Sequence, residues 1–233
     1  MWLLLLTLLA APTSVVDRPA ADPNAPIVIG LHGRGDTPEN FSHIADSLGP
    51  QFHWLVPRGP LEFAPGKAGS PPRCGRAVPE QSRLQAFGGG PACWFDQQTP
   101  DGGKAALATA LDVVAAQVRL AGKRPVALVG FSQGCMVAAQ YVAAHPQQLR
   151  AVLCFGGRLM QPIHVPQGPH AVQIRFVHGK NDPLVPLAKA KESVEILRKA
   201  RLSATLTEHD GGHVIPRQLT PELAAWLAAQ LRP

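Results

Sequence analysis

Short apolar runs separated by amphipathic stretches recur along almost the whole chain. Pro26 to Leu31 (PIVIGL), Phe52 to Val56 (FHWLV), Pro125 to Val129 (PVALV), Ala151 to Phe155 and Val172 to Val177 (VQIRFV) are short and almost uniformly apolar. Runs of this kind suit strands buried on both faces. Ala204 to Glu208 supplies a last strand. Between them the apolar positions change to a helical period, as with Leu107, Leu111, Val114 and Val118 within Gly102 to Ala121. Further helices are predicted from Pro38 to Leu48 with Thr37 as cap, from Phe131 to His145 up to Pro146, from Leu187 to Leu202 and from Pro221 to Leu231. Strands alternating with helices predict an α/β fold, a mostly parallel sheet with helices on both faces. Nothing marks a boundary inside residues 21–233, so a single domain is expected there.

Two stretches break the pattern. Residues 58 to 99 hold no sustained period and are rich in Gly, Pro and Arg. A loop of that length inside a compact domain is usually a lid or a binding loop. The other is the start, MWLLLLTLLAAP, whose apolar run of about ten residues spans about 15 Å as a helix, half a bilayer core. It is too short for a transmembrane anchor but has the length of a signal peptide's apolar region, with the small residues Ala10, Ala11, Thr13 and Ser14 following. No Lys or Arg precedes it and no clean A-x-A site follows. Residues 1–20 are expected to be a signal peptide or an unstructured N-terminus, and the protein periplasmic or secreted. A mis-assigned start and a cytoplasmic protein are the alternative.

The chemistry centres on Gly130-Phe131-Ser132-Gln133-Gly134, placed directly after the strand PVALV and opening an apolar helix. That context is the one a nucleophile elbow needs, a turn so tight that glycine must stand two residues before and after the serine. It lifts Ser132 above the sheet edge at a helix N-terminus, where free N–H groups favour a developing oxyanion. A serine nucleophile needs a base, and the base an orienting acid. Asp182 follows the strand QIRFV in His178-Gly179-Lys180-Asn181-Asp182-Pro183, and His213 follows the last strand in Asp210-Gly211-Gly212-His213. The order Ser, acid, His at successive strand ends predicts a Ser132–His213–Asp182 triad. Glu208 and Asp210 are weaker candidates for the acid because they lie so close to His213 in sequence. His178 is read as structural, and His209 as within or at the edge of the last strand. The oxyanion donors are expected to be the backbone N–H groups of Gln133 and of Arg34, the latter in the loop after the first strand.

Composition narrows the partners. The chain has 233 residues, 45% of them hydrophobic and 16% charged, which excludes long disorder. Lys and Arg exceed Asp and Glu by 22 to 16, a net charge of +6. The basic residues are scattered, and no aromatic residues interleave with the densest stretch, from Arg58 to Arg83, as stacking on bases requires. No nucleic-acid partner and no stable membrane insertion are expected. The four cysteines, Cys74, Cys93, Cys135 and Cys154, match no zinc spacing, so neither metal nor cofactor is expected. In an exported chain Cys74 and Cys93 would close a ring of about 20 residues, stabilising it by about 3 kcal/mol. Cys135 and Cys154 sit in apolar runs and read as small buried hydrophobes.

LHGRGD, GFSQG, HGKNDPLVP and GGHVIP, with Pro-Ala-Cys-Trp-Phe-Asp (Pro91 to Asp96) between them, occur in order over nearly all of the chain after Pro26. Together they resemble the phospholipase/carboxylesterase family of α/β hydrolases, which includes bacterial carboxylesterases and acyl-protein thioesterases. The resemblance implies the α/β-hydrolase fold, the Ser132/Asp182/His213 triad, oxyanion donors at Arg34 and Gln133, and Trp94-Phe95 beside an acyl pocket. Three features depart from the family pattern: Arg34 where Leu is frequent, Cys135 where a second Gly commonly follows the elbow, and extra length around Arg73 to Arg83. The expected activity is hydrolysis of carboxylic esters, thioesters or lysophospholipids through an acyl-enzyme by a monomer or homodimer. An acyltransferase using the same intermediate and a non-catalytic binding protein of the same fold are the alternatives.

Overall fold

A computed structural model describes residues 14–64, 73–77, 91–99, 101–160 and 162–232. The apolar N-terminal run and the basic positions Lys67 and Arg83 lie outside the described residues. Among the described residues no helix is long and apolar enough to cross a membrane.

The predicted strands form one sheet. Its members are β1 (Val15–Arg18), β2 (Ile27–Leu31), β3 (His53–Pro57), β7 (Val126–Phe131), β8 (Ala151–Phe155), β9 (Gln173–Gly179) and β10 (Ser203–His209), in the order β1-β3-β2-β7-β8-β9-β10. Every pairing from β3 to β10 is parallel, and only the edge strand β1 runs antiparallel, with Val15 opposite Pro57 and Arg18 opposite Trp54. The expected boundary at residue 20 therefore falls beyond a strand that already belongs to the sheet.

Pleating sends neighbouring side chains to opposite faces. Ile27, Ile29 and Leu31 enter one core with α3 (Lys104–Leu120), α4 (Gln133–Ala144) and α5 (Leu187–Lys199). Val28 enters the other, with Ala45 and Leu48 of α2 (Ile44–Leu48) and Leu223 and Leu227 of α6 (Thr220–Gln230). Both faces are covered, which is why these strands are apolar throughout. The helix predicted over Pro38 to Leu48 is two short ones, α1 (Pro38–Ser42) and α2, joined at His43, with the Thr37 hydroxyl accepting the Asn40 N–H at 3.1 Å.

The aperiodic stretch carries structure too. A separate three-stranded sheet, β5-β4-β6, is built from β4 (Leu61–Ala64), β5 (Arg73–Ala77) and β6 (Ala92–Cys93). A disulfide joins Cys74 to Cys93 across it. Cys135 and Cys154 are also bonded, correcting their reading as separate small hydrophobes. Their Cα atoms lie 4.8 Å apart, one on α4 and the other on the β8 strand beneath it. Sequence alone does not reveal that the packing of this helix on this strand brings two apolar positions within bridging distance.

Candidate active site

The chain leaves β2 for β3 on one side of it and returns with β7 on the other. The loops after β2 and β7 therefore diverge at their carboxyl ends and open a crevice, the usual ligand site of an open parallel sheet. His32 to Asp36 follow β2, and Ser132 follows β7.

Ser132 has φ 53° and ψ −115°, a conformation disfavoured for a residue with a side chain. Its surroundings enforce it. A Cβ on Gly134 would lie 1.9 Å from the Leu31 carbonyl oxygen, and one on Gly130 would lie 2.5 Å from the Gly134 carbonyl. Only glycine fits at either position. The Ser132 N–H donates to the Phe155 carbonyl at 2.8 Å, fastening the turn to the end of β8. Gln133 begins α4, where the first N–H groups have no acceptor within the helix.

His213 and Asp182 meet although they lie on different loops. The imidazole Nδ1 is 2.7 Å from Asp182 Oδ2. The other carboxylate oxygen accepts N–H groups from Leu184 at 2.8 Å and Val185 at 2.9 Å, so the NDPLV segment folds around its own aspartate. Burial pushes the Asp182 pKa up, but the Val185 N–H, His213 and the Leu184 N–H together outweigh it and hold the carboxyl below its ordinary value. The rivals are engaged elsewhere. Asp210 pairs with Lys180 at 2.8 Å on the surface, and Glu208 pairs with Lys191 at 2.9 Å.

His178 is fully buried, and its Nε2 lies 2.7 Å from the Val185 carbonyl and 3.4 Å from Asp182 Oδ2. The carbonyl requires a proton on that nitrogen, so Asp182 faces a second N–H from behind. The sequence gives His178 a structural part but no sign of this contact. His209 ends β10 and accepts the Gly211 N–H on Nδ1 at 3.1 Å.

A cavity of about 790 Å³ opens over these groups. Ser132, Gln133, His213, Gly33 and Arg34 line it on the polar side, with Phe63, Phe95, Phe131, Met136 and Leu184 on the apolar side. Phe131 packs on the His213 ring, with centroids 4.9 Å apart. The Arg34 guanidinium lies over Phe63, 5.4 Å from its centroid. The two aromatic residues expected beside the acyl pocket divide. Phe95 lines the cavity, whereas Trp94 is fully buried behind it and does not.

A family model described as Phospholipase/Carboxylesterase matches residues 85–230. The chain belongs to that family. This phospholipase/carboxylesterase member is an ester-hydrolysing enzyme with the α/β-hydrolase fold. Over 209 residues it is 28% identical to Esterase YpfH of Escherichia coli (strain K12), covering 85% of this chain and 78% of that one. In fold it resembles the Bacillus cereus carboxylesterase, with a TM-score of 0.72, 15% identity, and 94% and 95% of the two chains covered. It also resembles Zea mays acyl-protein thioesterase 2, with a TM-score of 0.69, 19% identity, and 95% and 100% covered.

Proposed function

We propose that this family member cleaves carboxylic esters through an acyl-enzyme on Ser132, with His213 as base and Asp182 as the acid that orients it. One observation carries the reading: a backbone-strained serine and a carboxylate-bound histidine line the same cavity at the switch point of the sheet. His213 Nδ1–H, held by Asp182, leaves Nε2 to take the Ser132 proton as the hydroxyl attacks the acyl carbon. The carbonyl π electrons move onto its oxygen, which accepts the backbone N–H groups of Gln133 and Arg34. Collapse breaks the bond to the alkoxy oxygen, and His213 returns the proton to the departing alcohol. Water then repeats the sequence and releases the acid.

The apolar wall of Phe63, Phe95, Phe131 and Met136 suits an acyl chain or an aromatic acid, and the breadth of the cavity admits either an alcohol or a thiol leaving group. The two disulfides support an oxidising compartment, and with the apolar start of the chain they favour export. Cell fractionation that finds the protein only in the cytosol with free thiols overturns that part.

The activity is tested with p-nitrophenyl esters of increasing chain length, wild type against Ser132→Ala. The expected result is hydrolysis by the wild type, with a preferred chain length set by the cavity, and a fall of about 10⁶ in kcat for the variant. A folded Ser132→Ala protein that keeps its rate refutes the reading.

A further inference from the structure

The two oxyanion donors belong to segments far apart in the chain, and a single buried residue bonds to both, through its side chain on one side and its backbone on the other. The Trp94 indole Nε1–H donates to the His32 carbonyl at 2.8 Å, in the loop that carries Arg34. Its backbone N–H donates to the side-chain oxygen of Gln133 at 3.0 Å. The Gln133 amide nitrogen in turn donates to the Phe95 carbonyl at 2.8 Å, so that amide grips the backbone of two consecutive residues. We infer that Trp94 is a positioning residue that fixes the spacing of the Arg34 and Gln133 N–H groups in the oxyanion hole. The inference rests on the triad reading above.

Each neighbour of Trp94 reinforces the link. Gly35 N–H donates to the Ala92 carbonyl at 2.8 Å and Ala92 N–H to the Asp36 carbonyl at 2.9 Å, so Ala92, two residues before Trp94, forms an antiparallel bridge with the loop at Asp36. Cys93 is tied to Cys74, which holds this segment to the small sheet. The Trp94 ring packs on His32, with centroids 5.1 Å apart. His32 is itself fixed at both nitrogens, with Nδ1–H given to the Gly33 carbonyl at 2.8 Å and Nε2 accepting the Gly59 N–H at 3.0 Å. Trp94 thus touches neither the cavity nor the reacting atoms, yet one hydrogen bond on each side connects it to a donor-bearing segment. Oxyanion donors act only when held at the position that the developing charge will occupy.

The test replaces the indole N–H without changing its shape, using benzothienylalanine at position 94, where sulfur stands for the nitrogen, with Trp94→Phe beside it. Removing a whole oxyanion donor costs a hundredfold or more, so slackening one is expected to lower kcat about tenfold while KM stays within about twofold. Affinity for an alkyl boronic acid, which forms a tetrahedral adduct on the serine, is expected to fall by the same factor as kcat/KM. Unchanged kcat and unchanged boronate affinity in the benzothienyl protein overturn the inference, as does a loss confined to KM. Should Trp94→Phe fold poorly, the isosteric protein decides. Ser132→Ala separates the two claims. If it is inactive while the Trp94 variants keep full kcat, only the positioning role fails, and if it is active the underlying reading fails as well.

Discussion

At the scale of single residues, burial decides the protonation of a histidine in the loop that carries Arg34. His32 is fully buried, and burial lowers its pKa to about 4, against weaker opposing help from its bond to the Gly33 carbonyl. It stays neutral and so keeps an acceptor for the Gly59 N–H. The unfolded chain takes up the proton near pH 6.5, before the folded one does, so stability falls as the pH drops through the interval between the two values. His209, also lowered, first by burial and then by the neighbouring His178, adds with the same sign. The free energy of urea unfolding is expected to be about 2 kcal/mol smaller at pH 5 than at pH 7 on account of His32. An unfolding free energy at pH 5 equal to or larger than that at pH 7 contradicts a buried neutral imidazole. The sequence announces Ser132, Asp182 and His213 because each needs a local neighbour pattern, glycines or a turn, that is written in consecutive letters. It is silent on the bonds of the Trp94 indole and the Gln133 amide, whose partners lie far away in the chain, and on the approach of His178 to Asp182. Nothing adjacent to them encodes the bonds they make.

At the scale of elements, the strands of the main sheet are legible because burial on both faces leaves only apolar letters. The small sheet is not, since β6 is two residues long and β4 four, too short for alternation to emerge. The bridge from Cys74 to Cys93 ties two strands of that sheet together, just as the bridge from Cys135 to Cys154 pins the helix that opens after Ser132 onto β8. Each ring spans 19 residues, for which loop closure in the unfolded chain is worth about 3 kcal/mol. Unreduced protein unfolded in denaturant is expected to show no reactive thiol, and Cys135→Ala with Cys154→Ala to lower stability by about that amount. Two free thiols in the unreduced protein would contradict the pairing. The edge strand β1 is equally hidden, because its four residues, only two of them apolar, are too few for a pattern to emerge. It also means that a recombinant protein shortened to residue 21 lacks one strand of its sheet.

At the scale of the whole molecule, the fold explains why chemistry collects where it does. Reversal of the strand order at β2 places the loop with Arg34 beside the elbow with Ser132, and the ends of β9 and β10 bring Asp182 and His213 to the same edge. No pair of these loops is adjacent in sequence, so the site exists only once the sheet has formed. Membership of the phospholipase/carboxylesterase family rests on the match over residues 85–230. The most direct test of the central claim is reaction with an alkyl fluorophosphonate, which phosphonylates an activated serine with loss of fluoride, followed by peptide mapping. One adduct per chain is expected, on Ser132, with ester hydrolysis lost in proportion to labelling. An adduct on another residue, or full activity in the labelled protein, would contradict it.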